Sequence, residues 1–237
     1  MMEVTSFELT PCLMPGGIQT EPGVEMFNTM VNKWVRGKKE KLAEKGIDIS
    51  LFFNHDPETG KTIVGYPKVI YHCFNGRFYL TGVNGGAHAV RALAAHYKKP
   101  FEENGIIFAG FKPAESVKSQ GEVYPGRVFG YRLEKWIPFH YKDYKPFSKM
   151  PLTEKATQLN LKLIKHIGLD LERYLGLDTS GLVAEITAIL LTHPRPVTYE
   201  GNPYYGFDIE FSSNIKLPRM ITLGNIKSLG YGRVEPL

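Results

Sequence analysis

Cysteine is scarce in this 237-residue chain. Cys12 and Cys73 are the only two, far apart and without Cys-x-x-Cys spacing. A disulfide framework and a structural zinc site are therefore not expected, and a reducing compartment suits the composition. Long apolar runs are missing too, since none approaches the roughly 20 residues that cross a bilayer. The opening residues Met1-Met2-Glu3-Val4-Thr5-Ser6-Phe7-Glu8 show no basic segment followed by an apolar one, so a cytoplasmic chain without a secretion signal is expected. Hydrophobic content of 43% with 22% charged residues excludes a disordered chain. No metal-ligating set stands out. His88 and His96 lie eight apart on one expected helix, but no carboxylate or cysteine completes a site, so neither metal nor cofactor is expected.

What the chain has is an excess of positive charge, +5 with a pI near 9.0, and a glycine-rich end. The stretch from Leu223 to Pro236 packs Gly224, Gly230 and Gly232 with Lys227, Ser228 and Arg233. Glycine lets backbone N–H groups converge, and the two cations add charge, a combination suited to close approach of a phosphate. It is not a Walker loop, because Lys227-Ser228 runs into Leu229-Gly230-Tyr231-Gly232 instead of opening a helix. A hairpin turn with left-handed glycines is the plain alternative.

Taken in order, residues 3–11 alternate as a strand. From Val24 the apolar positions Phe27, Val31, Trp34, Val35 and Leu42 follow helical spacing, with the basic run Arg36-Gly37-Lys38-Lys39 near its later turns. Residues 62–74 and 77–83 read as strands joined by the two-residue turn Asn75-Gly76, followed by a helix carrying Val90, Leu93, Ala94 and Tyr97 and a strand over 106–111. The order strand, helix, strand, strand, helix, strand is the split βαβ plan. Residues 113–126, rich in proline, serine and glycine, read as a linker. Beyond them come a strand at 128–133, a helix over 152–176 with leucines and isoleucine at spacings of four, a strand at 183–191, a hairpin around Gly201-Asn202, and a closing strand at 229–235. That repeats the first plan with its second helix missing. The expected fold class is α+β, two tandem ferredoxin-like (RRM-like) domains over residues 1–115 and 127–237.

Four stretches in order, Asn54-His55 with Gly65 to Tyr71, Asn75-Gly76 through Gly86, Trp136 through Tyr144, and Asn214 to Pro218 leading into the glycine-rich end, give the chain its relatives. In these it resembles the CRISPR-associated endoribonucleases that process repeat precursors, in particular the b-type subgroup of the sixth Cas family. The resemblance implies metal-free cleavage of repeat RNA, in which the 2′-hydroxyl attacks the adjacent phosphorus to leave a 2′,3′-cyclic phosphate and a 5′-hydroxyl. Such chemistry requires in-line geometry, a base, an acid and donors for developing charge.

The resemblance also assigns roles. His55 aligns with the second histidine of the family's His-Asn-His run, with Phe53 at the first, and is the candidate base or acid because imidazole titrates near neutrality. Tyr66, in the matched Tyr-Pro unit, is a candidate to orient the hydroxyl or donate to the phosphate; strand-aromatic packing is its plain alternative. Lys61 is a candidate for stabilising the transition state. Lys216, Arg219, Gly224, Lys227, Ser228, Gly230, Gly232 and Arg233 are the expected RNA-binding set. Departures from the family pattern occur at Phe139-His140, at Asp143-Tyr144 and in Thr222 to Lys227. The expected partner is CRISPR repeat RNA, with other subunits of a CRISPR-associated complex and a homodimer left open. A non-catalytic RNA-binding subunit of a surveillance complex, and a small-molecule enzyme with a terminal phosphate loop, are the competing readings.

Overall fold

The computed structural model describes residues 2–13, 23–53, 65–103, 105–119, 122–190 and 193–237. The chain forms two compact units: one comprises Glu3–Lys118 with Ser228–Gly230, and the other comprises Met2, Ser119–Lys227 and Tyr231–Leu237.

The first unit follows from two periodicities. In helix α1 (Val24–Gly37) the residues Phe27, Met30, Val31, Trp34 and Val35 recur at steps of three and four and are all buried. They lie against a sheet built from β1 (Met2–Leu13), β2 (Val69–Phe74), β3 (Arg77–Val83), β4 (Phe101–Glu103) and β5 (Ile106–Ser119), in the spatial order β2-β3-β1-β5-β4. Helix α2 (Lys39–Ala43) extends α1, and α3 (Gly85–His96) crosses between β3 and β5. With β4 set aside as a short addition, the order is that of the split βαβ plan. Asn75 and Gly76 join β2 to β3 with φ of 51° and 67°, the positive pair that a tight hairpin turn demands. The core is largely aromatic. Phe27 stacks on Phe78 at 4.6 Å, and Trp34 packs among Tyr97, Phe101, Phe108 and Phe111 while its Nε1 donates to Glu103 Oε2 at 3.1 Å.

β5 corrects one expectation. It continues to Ser119, so the expected linker over 113–126 is strand in its first part. Pro113, the main reason for reading a linker there, is exposed and lies beyond the last β4 pairing at Phe108. A strand with one flank unpartnered tolerates the missing N–H.

The second unit repeats the plan. Its strands are β6 (Phe129–Trp136), β7 (Ala184–Ile189), β8 (Arg195–Tyr199), β9 (Asn202–Ser213) and β10 (Arg233–Pro236), its helices α4 (Tyr141–Ser148) and α5 (Leu152–Gly168). The sheet order is β10-β6-β9-β7, with β8 paired to the first half of β9. Leu159, Leu163 and Ile167 bury one face of α5, and Asn160 Oδ1 accepts the Ile186 N–H of β7 at 2.9 Å. The helix continues into a π turn, Leu169–Tyr174, so most of the expected 152–176 helix is present in two forms. No helix fills the position between β9 and β10, where residues 214–232 run instead with a single 3-10 turn at Lys227–Leu229. The closing strand therefore starts at Arg233, later than the expected 229.

That irregular segment does the covering a helix would otherwise do. Ile215, Leu217, Met220, Ile221 and Leu223 are all buried. Close approach fixes its glycines: a Cβ on Gly232, where φ is +72°, would lie 1.9 Å from Leu223 O, and one on Gly224, at φ +100°, would lie 2.8 Å from Trp136 Cδ1. Gly232→Ala is accordingly expected to lower unfolding free energy by about 2–4 kcal/mol, read as a reduced urea midpoint with an unchanged slope, whereas Gly126→Ala, with open space around its Cβ, carries only the cost of its positive φ.

Candidate functional site

The glycine-rich segment is held by a polar cluster buried on α5 and its π turn. Asp170 is 2% exposed, and its Oδ1 accepts from Lys227 Nζ at 2.6 Å. The Gly224 N–H also donates to this carboxyl. One turn earlier, His166 Nδ1 accepts from Trp136 Nε1 at 3.2 Å, with the two rings edge to face. Trp136 itself follows a β-bulge in β6. There Lys135 takes a φ of 50° and its N–H donates to Asp208 Oδ1 at 2.7 Å, which turns Trp136 inward.

Burial sets the electrostatics of the pair. It pushes the Asp170 carboxyl up to about 6, against the opposing pull of Lys227 and the Gly224 N–H. Burial, followed by the lysines at 227, 162 and 165, pushes His166 down to about 3, so it is a neutral acceptor at physiological pH. Neither residue was singled out in the sequence. The available signal was their spacing: His166 and Asp170 are four apart and three beyond Leu163 and Ile167, polar residues flanking an apolar helix stripe.

The expected RNA-binding residues divide by exposure. Lys216 and Arg219 are exposed. Lys216 stands between two anchored neighbours, because Tyr131 Oη donates to Ile215 O at 3.0 Å and accepts from the Leu217 N–H at 2.8 Å. Burial pushes that Tyr131 phenol up to about 12. Arg219 pairs with Glu235 at 2.6 Å. Arg233, only 7% exposed, is held by Glu134 and Glu235, and Lys227 by Asp170. Ser228 is buried, and with Gly230 it belongs to the first unit, where a Cβ on Gly230 would come within 2.5 Å of Tyr71 O and 2.8 Å of His72 Nδ1. Gly224 and Gly232 are the close-packed positions of the segment.

Of the catalytic candidates, His55 and Lys61 lie outside the described residues. Tyr66 is 4% exposed and so takes its place in the interior of the first unit. On β2, Tyr71 and His72 are both buried; Tyr71 Oη donates to Phe52 O at 2.8 Å, and burial raises its phenol well above the ordinary range. His88 is exposed on α3, whereas His96 is half-buried and lowered by burial and by the lysines at 45, 38 and 41. His140 is exposed at the start of α4, 4.3 Å from the Tyr141 ring.

The two buried groups on α5 titrate in opposite senses. Between about pH 6 and the ordinary carboxyl value of 3.8, folded Asp170 takes up a proton that the unfolded chain does not, so acidification through this window adds stability. From 6.5 down to about 3 the unfolded chain protonates at position 166 while the folded one does not, so acidification removes stability. In the wild type the two offset each other between about pH 6 and pH 4. Asp170→Asn should therefore show a steeper fall of Tm on acidification than wild type, and His166→Gln a shallower fall or a rise, measured by circular dichroism across that window.

Residues 124–237 match the family model for the Cas6b C-terminal domain. A search of curated protein sequences gives no match. Among solved structures, a crystal structure of Cas6b is similar over 100% of both chains at 15% identity, with a TM-score of 0.72. A CRISPR RNA processing endoribonuclease Cas6b is similar over 99% of this chain and 100% of its own at 15% identity, TM-score 0.62. Csf5, a type IV Cas6 crRNA endonuclease, is similar over 99% of both at 12% identity, TM-score 0.62. The second unit thus matches the Cas6b C-terminal domain, and the whole chain has the tandem ferredoxin-like fold.

Proposed function

We propose that this chain is a metal-independent endoribonuclease that cleaves CRISPR precursor RNA within its repeats. The observation that carries the reading is the Cas6b C-terminal domain match over residues 124–237, on a chain whose full length takes the fold of proteins described as CRISPR RNA processing endoribonucleases. In the reaction the 2′-oxygen bonds to the adjacent phosphorus as the bond to the 5′-oxygen breaks. The hydroxyl proton passes to a base, and an acid protonates the leaving oxygen. His55 takes one of these roles, and Lys61 balances charge on the non-bridging oxygens. Tyr66 orients the attacking hydroxyl or donates to the phosphate.

In the second unit, Lys216 and Arg219 are the exposed cations of the terminal segment and make its phosphate contacts. Lys227, Arg233, Gly224 and Gly232 shape the backbone that presents them. The repeat transcript is the principal partner, met in the cytoplasm.

Single-turnover cleavage of the cognate repeat in EDTA tests the reading. We expect a cyclic-phosphate product at an unchanged rate, its loss with a 2′-deoxy substrate, and a fall of about 100-fold or more for His55→Ala with repeat binding retained. Tight binding with no cleavage would instead favour the non-catalytic subunit. Lys216→Ala and Arg219→Ala should each weaken repeat binding and reduce the slope of log affinity against log salt by about 0.7–0.9.

A further inference from the structure

The second unit carries an aromatic surface that the cleavage reaction does not use. Where β6 ends, the chain enters α4, and this short helix lies against the β8–β9 hairpin. The ring of Tyr144 stacks on that of Tyr205 with centroids 3.7 Å apart and planes 17° from parallel. Beside them, Tyr141 meets Tyr204 edge to face at 5.7 Å and carries the His140 ring at 4.3 Å. Below this layer Phe139 and Phe147 are buried against each other at 4.4 Å, so the upper rings rest on a rigid floor. Tyr141, Tyr144 and Tyr205 are half-buried and His140 is exposed, so these rings keep solvent-facing area that the core does not need.

Charge selects the occupant. Lys142 and Lys145 are exposed on α4 and make no ion pair among the described residues, and Lys142 Nζ stands 5.6 Å from the Tyr141 ring centroid. Over residues 135–150 the charged side chains are Lys135, Lys142, Lys145 and Lys149 against Asp143 alone. Planar rings interleaved with unneutralised lysines match unpaired nucleotides, whose bases stack on aromatic faces while their phosphates take the positive charge.

We propose that the α4 face, with Tyr144 and Tyr205 at its centre, binds single-stranded RNA by base stacking, with Lys142 and Lys145 on its phosphates. Recognition here is tolerant of sequence, since every base offers a π-face. The site holds an unpaired stretch of the same transcript, separate from the terminal segment that carries Lys216 and Arg219. It rests on the reading of the chain as an RNA-processing protein.

Two probes test it with the full chain: the cognate repeat, and a fluorescent oligouridylate of about eight nucleotides, within the usual footprint of single-strand sites. By anisotropy, Tyr144→Ala and Tyr205→Ala should each weaken oligouridylate binding about 10-fold or more, while Tyr144→Phe and Tyr205→Phe, which keep the ring, bind as wild type does. Tyr144→Trp guards against misfolding of the alanine variants and should show fluorescence quenching on addition of unlabelled oligouridylate, against a constant background from the buried Trp34 and Trp136. Two results overturn this site while wild type still binds the repeat: alanine variants that hold oligouridylate as tightly as wild type, or a Tyr144→Trp variant whose fluorescence oligouridylate does not quench. Either one leaves the proposed function standing and returns the face to a protein partner. Wild type that binds neither probe overturns the proposed function as well.

Discussion

A single buried carboxylate sets the form of the C-terminal half. Asp170 draws Lys227 and the Gly224 N–H onto the π turn that follows α5, and the glycine segment hangs from these two points. Taking one charge out of water without the other would cost several kcal/mol, so the pair forms together or not at all. His166 extends the arrangement by accepting from Trp136, which fixes the end of β6. A bulge, a helix and an irregular segment far apart in sequence therefore depend on two neighbouring polar side chains of one helix.

Repetition is the other organising principle. The same strand order appears in both units, and each departs from the plan: a short strand β4 is added in the first, while the second adds β8 and α4 and lacks a helix. The division of labour proposed for the chain follows these departures. The chemistry is assigned to the first unit through His55, while the second unit, with its unusual segment and its aromatic face, supplies contacts along the transcript.

Much of this was legible in the sequence because it is local. Asn75-Gly76 dictates its turn, the α1 stripe from Phe27 to Val35 dictates its buried face, and the spacing of four from Leu159 to Leu171 predicts α5. The second hairpin turns at Glu200 and Gly201, one residue ahead of the expected Gly201-Asn202, since both of these adopt positive φ and β9 begins at Asn202. What escaped depends on partners remote in sequence. Lys227 and Arg233 look like cations of an open loop until Asp170, Glu134 and Glu235 are brought to them, and periodicity gives the face of a helix without naming what meets it. Pro113 misled for a related reason, because whether a strand tolerates proline depends on the flank its neighbour leaves open.

The segment in place of the missing helix also bears on thermodynamics. Its apolar side chains close the core, its glycines are fixed by close approach, and its backbone is tied at both Ile215 and Leu217. Such a segment has little conformational freedom left to lose when something binds to it. Ordering on association would fall to the more flexible partner, and the heat and entropy of binding at Lys216 and Arg219 would report the stiffening of that partner while the protein stays nearly as it was.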